Sequence, residues 1–82
     1  MPTNLTAAAR RLLNGLSYRE RLIIELRRGL SGEAPFTLEE TAHVFKVTRE
    51  RVRWIEKRAI MKLETSLGPD WEAVIKSANA AS

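Results

Sequence analysis

Arg49, Glu50 and Arg53 stand within two helical turns of one another in the run Val47-Thr-Arg-Glu-Arg-Val-Arg53, followed by Trp54 and then Lys57. Their chemistry suits reading a polar edge. A guanidinium offers a planar fork of N–H donors that can bind both acceptors on a guanine, and a carboxylate accepts from the amino group of cytosine. At roughly 100° per residue these five groups fill an arc of about 140°. Val52, Ile55, Ala59 and Leu63 gather within about 80° of one another on a different side. A helix divided in this way has one face to bury and another to offer a DNA major groove. A face charged only for solubility would pair Glu with Lys or Arg at i,i+4, and solvated charge is the plain alternative.

Other chemistry has little support. His43 is the only histidine and there is no cysteine, so Glu39 and Glu40 beside it make a poor metal site. No metal and no cofactor is expected. Ser17, Ser31 and Ser66 lack a base and an orienting acid at a defined spacing, so no nucleophilic residue is assigned. Gly29, Gly32 and Gly68 punctuate turns and do not form a phosphate-cradling loop.

The reading helix needs a partner to present it. Thr37 followed by Glu40 is a capping box ahead of an apolar-periodic run, and Thr48 is an N-cap for the next helix. Only Lys46 and Val47 separate the first pattern from that second cap, a connection short enough for a helix-turn-helix. These two helices are expected over roughly 38–45 and 48–66. Upstream, one helix is expected from Asn4 to Asn14 with Gly15 as its stop. Another opens on the capping box of Ser17 and Glu20, runs to about Arg28 and ends at Gly29, with Ile23, Leu26 and Leu30 turned inward. Pro69 suits the first turn of a short last helix over about 69–78, which Trp71, Val74 and Ile75 would fold back onto the body. Residues 79–82 read as a frayed tail. No period-2 strand pattern of useful length occurs. The expected fold is all-α, a four- to five-helix domain containing a helix-turn-helix, with its core over about 5–66.

The 82 residues make one domain, too short for an enzyme with a deep cleft and a lid. Absence of cysteine excludes disulfides and thiolate zinc sites and fits a reducing cytoplasm. No apolar run approaches the roughly 20 residues that cross a bilayer, and nothing resembles a signal peptide. The net charge is +4 and unevenly placed. Residues 1–30 carry six arginines against two glutamates, and residues 47–64 carry six basic against three acidic groups. Positive charge thus gathers on the early helices and the reading helix, as a phosphate-facing surface requires.

Leu16-Ser-Tyr-Arg-Glu20, Leu26-Arg-Arg-Gly-Leu30, Thr37-Leu-Glu-Glu40 and Val47-Thr-Arg-Glu-Arg-Val-Arg53 with Ile55-Glu56, Ala59 and Lys62-Leu63 carry a resemblance. Over about residues 5–66 the chain resembles region 4, the C-terminal promoter-reading domain of sigma-70 family bacterial transcription factors. Response-regulator output domains share a Ser/Thr-x-Arg-Glu opening but lack the Arg-Glu-Arg-Val-Arg run. The resemblance implies a recognition helix in the major groove of a −35 promoter element. It implies base reading by Arg49 and Glu50, with Arg53 beside the bases and backbone and Trp54 at the next base-facing position. It also implies backbone contacts from Arg19, Arg27, Thr37, the Leu38 amide, Thr48, Arg51 and Lys57. The partners it implies are double-stranded promoter DNA, the beta-subunit flap of RNA polymerase and, as a further candidate, an anti-sigma factor. The protein is expected to act as a cytoplasmic monomer.

Trp54 stands where primary sigma factors commonly carry glutamine. Indole has one donor and no acceptor, so bidentate adenine readout is impossible there, leaving a thymine methyl or a sugar to touch. Leu22 and Val44 replace residues usually polar in the family. They either mark a partner surface or lie under Tyr18 or the last helix. Lys46 sits where an acidic residue is frequent. The aromatic and basic domain with which complete sigma factors melt promoters is not in these residues. The chain is therefore read as an excised domain or a small stand-alone sigma-like protein. The rival function is a module that binds polymerase or an anti-sigma factor without reading DNA.

Overall fold

Five helices in a computed structural model account for the architecture, which is described for residues 5–81. They are α1 (Ala7–Leu12), α2 (Tyr18–Arg28), α3 (Leu38–Phe45), α4 (Arg49–Leu67) and α5 (Trp71–Ala80). No strand occurs among the described residues. Local chemistry sets most boundaries. Ser17 and Glu20 form a complete capping box on α2, and Thr37 and Glu40 form another on α3. The Thr48 hydroxyl accepts the Arg51 amide at 3.1 Å and opens α4. Each cap satisfies amides that the first turn of a helix leaves without partners.

Two apolar clusters lie on either side of α2. Ile23 packs with Ala42, Val52 and Ile55, joining α2, α3 and the first half of α4. Its neighbour Ile24 packs with Leu5, Ala9, Leu13, Leu30, Ala59, Leu63, Trp71 and Ile75, joining α1, α2, the second half of α4 and α5. The long helix α4 is therefore anchored along its whole length by one stripe, Val52, Ile55, Ala59 and Leu63, all of it buried. That stripe fixes the rotation of α4, and so fixes which side chains it shows to solvent.

The helix-turn-helix corner depends on Lys46, which caps α3 in the left-handed region at φ 56°, ψ 46°. The Lys46 amide donates to Ala42 and His43, and the Val47 amide donates to the Ala42 carbonyl at 3.1 Å. A lysine there carries a Cβ into a conformation that glycine adopts freely. Lys46→Gly is accordingly expected to raise stability by about 0.5–1 kcal/mol after the entropy of the freer unfolded chain is deducted. A urea midpoint unchanged or lowered at constant slope would contradict that account. Gly29 closes α2 in the same region at φ 57°, where an added Cβ would meet the Glu33 carbonyl.

Four expectations about the ends change. Asn4 lies outside the described residues, and α1 starts after Thr6 and ends at Leu12, capped by Leu13, whose amide donates to the Arg10 and Arg11 carbonyls. Gly15 is not left-handed and is not the stop, because this turn closes first. Pro69 lies in the turn ahead of α5, which begins at Trp71 behind Asp70. Finally, α5 extends to Ala80, and the Asn79 side chain accepts the Thr6 amide at 2.8 Å, so that stretch is docked and not frayed. Ser82 lies outside the described residues.

Candidate nucleic-acid interface

The exposed side of α4 begins at Thr48. Arg49, Glu50, Arg53, Trp54 and Lys57 are all solvent-exposed, while Val52 and Ile55 between them are buried. The side chains of Arg49, Glu50, Arg53 and Lys57 make no hydrogen bond or ion pair among the described residues. Their donors and acceptors therefore remain available to a ligand. Glu50 in the first turn of α4 also suits the positive end of the helix dipole.

Around α3, the Thr37 hydroxyl accepts the Glu40 amide at 3.0 Å and Glu40 Oε1 accepts the Thr37 amide at 2.8 Å. The Leu38 amide remains in the first turn without an intrahelical partner, so it can face an anion. Arg19 is exposed at the start of α2. These placements leave Arg19, Thr37, Leu38 and Thr48 accessible.

Arg27 is engaged within the fold. Its Nε donates to Glu56 Oε1 at 2.9 Å and its Nη1 to the Phe36 carbonyl at 2.7 Å. Nε and Nη1 are thus engaged inside the fold, where Arg27 braces α2 against α4. Leu26 is only half-buried, and Val74 is exposed. Leu22 is buried, whereas Val44 and Tyr18 are open to solvent.

Residues that sequence reasoning missed hold the reading helix in place. Glu56 is buried on α4 and receives Arg28 Nε at 3.1 Å as well as Arg27. Arg28 Nη1 reaches Glu72 Oε1 at 3.2 Å, and Lys76 holds the other Glu72 oxygen at 2.9 Å. One chain of charges thus links α2, α4 and α5. A second centres on Glu20, which takes both ends of its carboxylate to Lys62 Nζ at 2.9 and 3.1 Å. Glu56 had a signal: at 100° per residue it lies about 20° beyond the Leu63 edge of the apolar stripe, where a carboxylate drawn towards the core needs cations.

Burial pushes the Glu20 carboxyl up, but the Lys62 hydrogen bond, the Ser17 amide and the Lys62 charge outweigh it and hold it below the ordinary range. Glu72 is likewise lowered against its burial, by Lys76 and Arg28. A carboxylate depressed by folding adds stability above its unfolded value, and that stability is lost as pH falls through the folded value. Thermal stability is thus expected to hold from about pH 7 to pH 5 and to fall below about 4.3. Glu20→Gln should flatten part of that fall, and an unchanged profile in this variant would show that Glu20 contributes none of it.

Among the described residues no group of three His, Asp or Glu side chains could hold a metal, and no helix is long and apolar enough to cross a membrane. The family profile described as Sigma-70, region 4 matches residues 12–65. The chain belongs to the sigma-70 region 4 family. RNA polymerase sigma factor SigA of Nostoc sp. is 44% identical to it over 66 residues, covering 80% of this chain and 16% of the relative. SigA proteins of Microcystis aeruginosa and Synechocystis sp. are each 50% identical over 52 residues, covering 63% of this chain and 12% of each relative. The chain spans less than one fifth of the length of these relatives. Sigma-70 region 4 is a family of sigma-factor domains, not of enzymes. Its helix-turn-helix is the unit formed here by α3 and α4.

Proposed function

We propose that this region 4 domain reads a −35-like promoter element through the first two turns of α4 while docked on RNA polymerase. The observation that carries the reading is the contrast along α4. One stripe is wholly buried, and the opposite side offers Arg49, Glu50, Arg53 and Lys57 without internal partners among the described residues. An α-helix about 10–12 Å wide fits a major groove about 12 Å wide. Arg49 then donates to a guanine edge, Glu50 accepts from a cytosine amino group, and Arg53 reaches the adjacent bases and backbone. Arg19, Arg51, Lys57, Thr37, Thr48 and the Leu38 amide hold phosphates and set the register.

The polymerase side has its own surface. A cleft of about 180 Å³ is lined by Leu22, Leu26, Ala34 and Phe36 with Glu25 and Glu33, all of them on α2 and the segment after it. No residue of α4 lines it, so an apolar segment of the beta-subunit flap seated there leaves the reading helix free. The domain works in the cytoplasm, as a monomer on one polymerase, and an anti-sigma protein would compete for the same cleft.

Direct titration of the 82-residue chain with a −35-containing duplex and a scrambled duplex, across a salt series, tests the DNA reading. Tighter binding to the −35 duplex is expected, with a log–log salt slope of about −3 from Arg19, Arg51 and Lys57 at about 0.9 each. Equal binding to both duplexes at every salt concentration would leave only the polymerase-docking role.

A further inference from the structure

Trp54 is the one aromatic side chain on the exposed side of α4, and it is 50% exposed. It is also bracketed by cations. The Arg51 guanidinium carbon lies 4.8 Å from the centroid of its ring, and that of Arg58 lies 5.0 Å from the same ring. The two arginines come from the turn before and the turn after, about 10 Å apart along the helix axis. Among the described residues, Glu20 is the one carboxylate paired with Arg58, at 4.0 Å, beyond hydrogen-bonding reach. Arg51 makes no ion pair or side-chain hydrogen bond among the described residues; its amide alone is engaged, by Thr48. Both guanidiniums therefore keep their N–H donors while an indole face limits their freedom.

Position on the helix says what these donors face. At 100° per residue, Trp54, Arg58 and Arg51 span about 60° on one flank of α4, and Arg49 lies about 160° from Arg51, on the opposite flank. A helix that fills a major groove turns its outermost side to the base edges and its flanks to the two sugar-phosphate walls. The Trp54 flank meets a wall.

We propose that Trp54 is a positioning residue, whose ring holds Arg51 and Arg58 as a preformed clamp on the phosphates of one strand, and that it does not read a base. This inference rests on the DNA reading above and replaces the base contact expected of Trp54. Guanidinium is the group that binds phosphate through paired N–H donors, and ordering it beforehand removes an entropy cost from binding. The assignment also adds Arg58, which the family resemblance did not select, to the phosphate-contacting groups.

The test measures affinity of the 82-residue chain for a −35 duplex and each of its single-base-pair variants. The proteins are wild type, Trp54→Ala, Trp54→Phe, Arg51→Ala/Arg58→Ala, and the triple variant. Trp54→Ala is expected to weaken binding about tenfold for every duplex, with the ranking of base pairs unchanged. Trp54→Phe, which keeps an aromatic face, should recover most of that loss. The double arginine variant should lower the salt slope by about 1.8, and removing Trp54 from it should cost nothing more. A Trp54→Ala loss confined to one base pair, or one that persists in full in the absence of both arginines, would overturn the clamp. Near-native circular dichroism and melting temperature identify variants that remain folded, and Trp54→Phe carries the comparison if Trp54→Ala does not. Wild type that ranks all duplexes equally would instead overturn base reading itself, so the two failures are distinguishable.

Discussion

Glu56→Ala is expected to cost about 2–3 kcal/mol of stability, seen as a fall of about 10–20 °C in melting temperature for a domain of this size. The carboxylate sits on α4 with its side chain 9% exposed, between Arg27 and Arg28 at 23% and 37%. Removing it leaves two cations in a partly dry crevice without their shared counter-charge. Loss of one partner of a fully buried pair costs about 3–5 kcal/mol, and partial access of water to the arginines reduces that figure. Arg27 would keep its bond to the Phe36 carbonyl and Arg28 its contact with Glu72, so the fold loosens before it fails. Glu56→Gln keeps the shape and one acceptor but not the charge, and should fall between. A melting temperature within a degree or two of wild type for Glu56→Ala would mean the cluster is solvated charge with no holding role.

The same cluster explains a difference between chain order and structure. Arg27 sits next to Arg28 in a segment that resembles backbone-contacting arginines, and nothing local distinguishes a guanidinium turned outward from one turned in. Its partner is 29 residues away. The Asn79 to Thr6 bond, which docks the end of α5, joins residues 73 apart and was equally out of local reach. Local chemistry travelled much better. The two capping boxes, the Thr48 cap and the Gly29 stop each depend on residues within four positions, and each appears where the chain places it. Gly15 misled because glycine suits any turn, whereas the α1 stop was set by the amide of Leu13. The division of α4 into buried and exposed faces was legible because periodicity alone determines it. Glu56 was legible by the same arithmetic, as a carboxylate about 20° beyond the edge of the apolar stripe.

The charge network also bears on how firmly the reading face is aimed. Lys62 and Glu20 tie the second half of α4 to the start of α2, while Glu56 ties its middle to the end of α2. Two attachments about one and a half turns apart on a single rod resist both rocking and rotation. The direction of Arg49 and Glu50 is thus set from behind, by groups that never approach DNA. Substitutions at Glu20 or Glu56 should weaken binding to all duplexes together, without changing the order of preference.

Arg49→Ala and Glu50→Ala should separate by sign on non-specific DNA while agreeing on cognate DNA. Each removes one base contact, worth about 1–3 kcal/mol of discrimination, so the preference for the cognate base pair should shrink roughly 5- to 150-fold at one position per variant. On a scrambled duplex only the general charge balance matters. Arg49→Ala removes a cation and should weaken that binding; Glu50→Ala removes an anion from a face turned to phosphates and should strengthen it. Both side chains are exposed and unpartnered among the described residues, so neither substitution disturbs packing and melting temperatures should stay within about 0.5 kcal/mol of wild type in equivalent stability. The check is a titration of each variant against duplexes that differ by single base pairs, with the scrambled duplex as reference. Unchanged ranking in both variants would remove base reading from α4 and leave its charges as a non-specific anchor. A gain on scrambled DNA coupled to a loss on cognate DNA for Glu50→Ala is hard to obtain any other way, since a carboxylate that repels the backbone can be useful in the groove only through what it accepts from a base.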